Sequence, residues 1–309
     1  MAEITSQNVA QAIVKLVAAE ALPALESNLI MGRLVNRDYE NTLAQAGDTV
    51  NVPIPPVMVA NNIAESGSVQ TQNPNLGNAQ IVLNSHIEST FTIPDVTKIL
   101  AVPDLVKTYM QPAIIALATR IETDLLSQYP LFTSNAATGG ATAMDEARID
   151  LAETELFNSL VPPGSRYLVV SGSGFSSMRQ ISRFTEYQTV GPSGQPSSMV
   201  TGELPGAGPM GANGKIKDFL VFRSQNVVSV SGTYQNVGFS RDALGLVVRR
   251  LPKPLAGTGA IAEYVDHANF GLRVVLSYQP NTLAQQFTVD CLYGIGALRQ
   301  QFGVVVNAT

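Results

Sequence analysis

The sequence predicts an α+β fold, with strands and helices in separate stretches of the chain. Three observations carry that prediction. Apolar residues alternate at Val50, Val52 and Ile54 and again from Ile81 to Ile93, the period of a strand with one buried face. Ile114, Leu117, Ile121 and Leu125 then recur at the period of a helix. The C-terminal part returns to period two, and no strand–helix–strand rhythm of a doubly wound sheet runs through the chain.

The elements follow in order. Val9, Ile13, Leu16 and Val17 predict a helix over 7–21, capped by Ser6 and disrupted by Pro23. From Gly47 the period is that of a strand, with Val50, Val52 and Ile54 alternating with Thr49, Asn51 and Pro53, but Pro53, Pro55 and Pro56 have no N–H to give a ladder and confine it to an edge. With the run from Ile81 to Ile93 it predicts one long hairpin, whose tip is the Asn-, Gln-, Gly- and Ser-rich stretch Asn61 to Asn78. A two-stranded hairpin alone in water is marginal, so it must rest on its own domain or on another subunit.

A long helix is expected over 104–129, roughly 35–40 Å if continuous. Pro112 predicts a kink or break near Gln111. A second helix is expected over 144–160, with Ile149, Ala152, Leu156 and Leu160 as its stripe and Pro162-Pro163-Gly164 ending it. Arg166 to Ser171 reads as a short buried strand, and a short helix is expected over 174–181. Gly191 to Gly214 holds seven Gly and four Pro, too many for a regular element. Strands are expected over 216–222 and 227–230, then a helix over 241–251 with Leu244, Val247, Val248 and Leu251 on one face. Strands at Leu272–Tyr278, Phe287–Tyr293 and Val304–Val306 close the chain.

Composition narrows the class of function. Apolar residues make up 45% of the 309 and charged residues 14%, below the quarter or so usual in soluble domains. Such a chain shows neutral surface of the kind that other chains cover. The net charge is −5, and no Lys/Arg cluster is long enough to track a phosphate backbone. The densest basic spot, Arg249, Arg250 and Lys253, reads as a solvated helix end. The one cysteine, Cys291, permits no intrachain disulfide and fits synthesis in a reducing compartment. Glu3 sits where a secretory signal needs a basic residue, and no apolar run approaches the roughly 20 residues of a membrane span, so no membrane partner is expected.

The chemistry of the sequence is sparse. His86 and His267 have only Glu88 and Asp266 as nearby carboxylates, without the spacing of a zinc site. His86 falls on the polar face of its strand, as a solvated histidine. Ser171-Gly172-Ser173-Gly174 imitates a nucleophile elbow but lacks glycine two residues before either serine. Cys291 lies in an alternating strand and reads as a small core residue. Gly214-Lys215 is followed by Ile216, not Ser or Thr, so no phosphate-binding loop ends there. No catalytic, cofactor-binding or metal-ligating residue is assigned, no cofactor is implied, and the chain is not expected to be an enzyme.

Three stretches carry a resemblance. Gly47-Asp48-Thr49-Val50-Asn51-Val52-Pro53 looks like an ascending strand of an extended loop. Phe91-Thr92-Ile93-Pro94-Asp95, leading to Pro112-Ala113, Ala116-Leu117-Ala118 and Ile121-Glu122-Thr123-Asp124, looks like the descending strand and a spine helix. Val237-Gly238-Phe239-Ser240-Arg241-Asp242-Ala243-Leu244 with Asp290-Cys291-Leu292-Tyr293-Gly294 looks like a closing helix and sheet. In this order they resemble the Hong Kong 97-type major capsid fold of tailed bacteriophages, and within it the coat-protein family of short-tailed Salmonella phages.

The resemblance implies a parts list: an N-terminal arm over 1–40, an extended loop over 41–94, a peripheral domain over 95–130 and 231–309 containing the spine helix, and an axial domain over 131–230. It implies a coat protein that assembles with itself, as hexamers and pentamers, into an icosahedral shell around double-stranded DNA. Scaffolding, portal and decoration proteins are the further partners it suggests, with synthesis in the bacterial cytoplasm and a final place in the virion. The Salmonella relatives carry an inserted β domain that the span from Phe175 to Phe239 is too short to hold. No motif for the autocatalytic lysine–asparagine cross-link is identifiable. The rival expectations are an encapsulin-like compartment of the same fold and, more distantly, an enzyme with a scattered site.

Overall fold

A computed structural model describes residues 29–39, 49–56, 58–63, 65, 67–73, 77–95, 105–136, 143–181, 214–255, 259–267 and 270–309. The helix expected over 7–21 and nearly all of the Gly/Pro-rich stretch after Gly191 lie outside the described residues.

In chain order, α1 (Met31–Leu34) is a single turn. It is followed by β1 (Thr49–Ile54), β2 (Gly77–Val82), β3 (Ser85–Pro94), α2 (Leu105–Leu126), β4 (Ser134–Asn135), α3 (Glu146–Asn158), β5 (Arg166–Val170) and α4 (Gly172–Arg179). Then come β6 (Gly214–Ile216), β7 (Phe219–Arg223), β8 (Ser229–Val230), β9 (Thr233–Ser240), β10 (Leu244–Arg249), β11 (Ile261–His267), β12 (Phe270–Gln279), β13 (Ala284–Ala297) and β14 (Gly303–Ala308).

β1 and β2 pair antiparallel, from Thr49 opposite Val82 to Ile54 opposite Gly77. As Pro53 requires, β1 has no second neighbour among the described residues. The second run of the expected hairpin does not stay in it. It divides at Leu83-Asn84, and β3 leaves β2 to pair with β13, Ser85 opposite Tyr293 and Pro94 opposite Ala284. The burial period continues across the break, so alternation by itself conceals the change of partner.

β13 is the axis of a five-stranded sheet. β3 lies along one side of it, and β12 and β10 pair successive parts of the other, with β11 beyond β12. One face of this sheet packs on α2: Phe287 stacks on Phe91 at 5.2 Å, Phe91 meets Tyr109 of α2 at 5.8 Å, and the Tyr293 hydroxyl bonds Asp124. α2 continues through Pro112, which is exposed, so the break expected near Gln111 is absent.

The helix expected over 241–251 is a strand. A single 3₁₀ turn at Arg241–Ala243 leads into β10, which is buried on both faces. Leu246 faces the main core while Val247 packs under β1 and β2. A strand covered on both sides gives a continuous apolar run that helical spacing also fits, and here the covering partners decide. The basic spot at Arg249, Arg250 and Lys253 is therefore a strand end.

The seven-stranded sheet runs β4-β14-β9-β5-β7-β6, with β8 on β9. β5 lies inside it, every residue buried, between β9 and a parallel β7. The strand expected over 216–222 is two strands, β6 and β7, turned back at Lys217, whose φ is +51°. α3 forms as expected on an Asp145 cap and buries Ile149, Ala152 and Leu156. Leu160 leaves the stripe, 81% exposed at a left-handed turn. The fully buried Arg148 ties α3 to the sheet by donating to the Asn307 carbonyl. One apolar core runs through both sheets, α2 and α3.

Candidate functional site

The candidate chemical residues resolve into structural roles. The His86 Nε2 lies 3.3 Å from Asp290 Oδ2, so His86 is half-exposed but not merely solvated. Asp290 is buried and is also held by Arg273, whose Nε donates to its Oδ1 at 2.9 Å. The Ser171 hydroxyl caps α4, accepting the Gly174 N–H at 3.1 Å, and Ser173 sits 3.1 Å from it. Cys291 is buried on the α2 side of β13, and burial pushes its thiol up to about 12. Among the described residues no group of three His, Cys, Asp or Glu side chains is placed to hold a metal. No described helix is long and apolar enough to cross a membrane. Lys253 pairs with Glu263 at 3.1 Å and lies with Arg250 over the Tyr264 ring, which binds the basic spot into the edge of the sheet.

The feature these residues leave unexplained is the segment between β1 and β2. Apolar side chains described there are exposed: Met58 is 58% exposed, Val59 64%, Ile63 57% and Val69 77%. Gln72 brackets Val59, accepting its N–H at 3.0 Å and donating to its carbonyl. Nearer the body, Asn78 and Gln80 donate to Asn51 across the ladder.

The base of the hairpin is firmly held. Val50, Val52, Ala79, Ile81 and Leu83 form a second apolar cluster with Val247, Leu292 and Leu298, on the face of the sheet opposite α2. β2 crosses β13 where that strand has no side chains. A Cβ at Gly294 would overlap the Val82 carbonyl oxygen, and one at Gly296 would lie 2.8 Å from the Gln80 carbonyl oxygen. The two glycines form a saddle that lets one backbone approach the other closely. Sequence reasoning anticipated the need for a support and missed its location, because a glycine in a strand shows only an absence of side chain.

The N-terminal side of the chain is fastened nearby. Asn36 bridges to Gly245, bonding the Leu244 carbonyl and the Leu246 N–H, and its amide donates to Asp242 at 2.8 Å. Among the described residues the arrangement is a double-sheet body on which the base of the hairpin is seated, its distal segment bearing exposed apolar groups.

This architecture recurs in solved structures. A chain of Mycobacterium phage Che8 is 18% identical, with a TM-score of 0.64 over 90% of each chain. A chain from the capsid of the cyanophage P-SCSP1u is 15% identical, with a TM-score of 0.55 over 91% of this chain and 88% of that one. A virus-like particle from Pyrococcus furiosus gives 11% identity and a TM-score of 0.50 over 94% of this chain and 97% of that one. No protein-family model matches the sequence, and no curated protein matches it. The chain has the α+β fold of the Hong Kong 97-type phage capsid proteins.

Proposed function

We propose that this chain is a major capsid protein of a tailed bacteriophage, assembling with itself into an icosahedral head around the genome. The observation that carries the reading is the seated hairpin, with its apolar tip uncovered, on a fold shared over nine-tenths of the chain with phage structures. An isolated subunit leaves Met58, Val59, Ile63 and Val69 in water, and a neighbouring subunit would bury them. Many modest contacts of this kind suffice in a shell, because closure makes each one intramolecular and raises its effective concentration.

In this reading residues 1–40 are the arm and 41–94 the extended loop laid across the next subunit. Residues 95–130 with 231–309 are the peripheral domain, and 131–230 the axial domain pointing to the centre of each hexamer or pentamer. The seven-stranded sheet joins the last two, since β9 pairs with β5 and β14 with β4. DNA is held by enclosure, in keeping with a net charge of −5 and no basic track. Scaffolding, portal and decoration proteins are its further partners, and the chain carries out no catalytic step. Kinship with the short-tailed Salmonella phages rests on the three sequence stretches alone. Synthesis in the host cytoplasm is supported by the single cysteine.

The likeness to the Pyrococcus furiosus particle favours one second reading, a compartment that encloses protein. Its lower TM-score places it behind the phage reading. Negative-stain microscopy of the expressed chain, followed by analysis of the contents, separates the cases. Closed shells are expected, with nucleic acid inside those from infected cells. Protein cargo in its place supports the compartment, and a discrete monomer at high concentration sinks both.

A further inference from the structure

The first described residues of the chain are held by a carboxylate that has no counter-ion among the described residues. Glu122 lies within α2 and is fully buried. Its Oε2 accepts the Met31 N–H at 2.8 Å, at the start of α1, and its Oε1 accepts the Ser224 hydroxyl at 3.0 Å, just after β7. The Ile30 N–H is directed to it as well. Among the described side chains of these elements no charged group is bonded to it. On α2, Arg120 pairs with Asp124 on an exposed face. Beside Ser224, the Arg223 guanidinium lies over the Phe175 ring.

A buried carboxylate served only by neutral donors is costly when ionised and far less so when protonated. The cover over Glu122 on one side is α1 itself, whose Met31 and Leu34 pack into the main core beside Leu29 and Val35. Lifting that segment opens the carboxylate to water, so docking of the segment and the charge on Glu122 oppose each other.

We propose that Glu122 is a pH-set latch on residues 29–36, the segment through which the N-terminal 28 residues join the body: protonation holds the segment docked and ionisation releases it. Burial outweighs the three donors and lifts the docked carboxyl from 4.5 to about 7, whereas in water it returns to its ordinary value. The docked state therefore binds the proton more tightly. Docking is fully favoured below the ordinary carboxylate range, weakens as pH rises, and has lost the whole contribution once pH passes about 7.

Hydrogen exchange of the full-length protein, read by mass spectrometry at about pH 5 and about pH 8 and corrected for the chemical rate, tests this. Peptides over 29–36 should lose protection by tens of fold, up to roughly 100-fold, between the two conditions. Peptides over β14 should keep theirs, marking a local opening. Glu122→Gln, a neutral isostere, should abolish the difference. Should that variant not fold, Ser224→Ala serves instead: it removes a donor from the ionised form and should deepen the loss in protection. Equal protection of 29–36 at both pH values overturns the latch, as does an undiminished loss in Glu122→Gln or a parallel loss across β14.

Discussion

Gly294 and Gly296 are where single atoms decide the architecture. Gly294→Ala places a methyl group against the Val82 carbonyl oxygen, backbone that has no rotamer by which to yield. It should cost about 1–3 kcal/mol, the usual range for overpacking, measured as a fall in the denaturant midpoint of the unassembled subunit. Gly172→Ala is the matched control. A Cβ there meets nothing within 4 Å, so its stability should stay within about 0.5 kcal/mol of the parent. Cys291 offers a second test at this scale. Burial first, and the neighbouring Asp290 charge second, hold its thiol near 12, so the thiolate is scarce at neutral pH. Iodoacetamide should leave the folded protein unmodified and label it fully in denaturant. Rapid labelling without denaturant would mean that β13 opens, contrary to its place at the centre of the sheet.

Among the elements, the β1–β2 hairpin would separate folding from assembly in the proposed shell. Its base shares a core with β10 and β13, while Met58, Val59, Ile63 and Val69 of its distal segment are exposed. Deleting residues 58–73 spares the β1–β2 register, because Ile54 and Gly77 remain to be joined by a short turn. The variant should keep the parent's circular dichroism and denaturant midpoint as a subunit and form no closed shells by electron microscopy. Shells of normal size from this deletion would remove the hairpin from the assembly mechanism. β10 shows the opposite relation between element and surroundings. Its residues carry no decisive local preference, and the strand exists because the hairpin covers one face and the main core the other.

At the scale of the whole molecule, the uncovered apolar arm predicts that stability depends on assembly. A partner that binds only the folded form raises apparent stability by mass action. Assembled protein should therefore melt at a higher temperature than the unassembled subunit in calorimetry, and the 58–73 deletion should melt with the subunit. Coincident melting of assembled and unassembled parent protein would show that the contacts add nothing to folding.

Sequence by itself determined the class of the fold, most of its strands and the long helix α2. These follow from local periodicity and from Pro53 lacking an N–H, both of which act over a few residues. Tertiary structure alone decided which strands are partners. Val50, Ile81, Val247 and Leu292 lie far apart in the chain and meet only because β2 crosses β13 over two glycines. The same holds for Glu122, a polar residue on a long helix whose burial arises only when Met31 and Ser224 close over it. Periodicity records that a face is buried and carries no information about what buries it. That choice is made by packing between distant segments, and here it turned an expected helix into β10 and one long hairpin into a seated arm and a sheet edge.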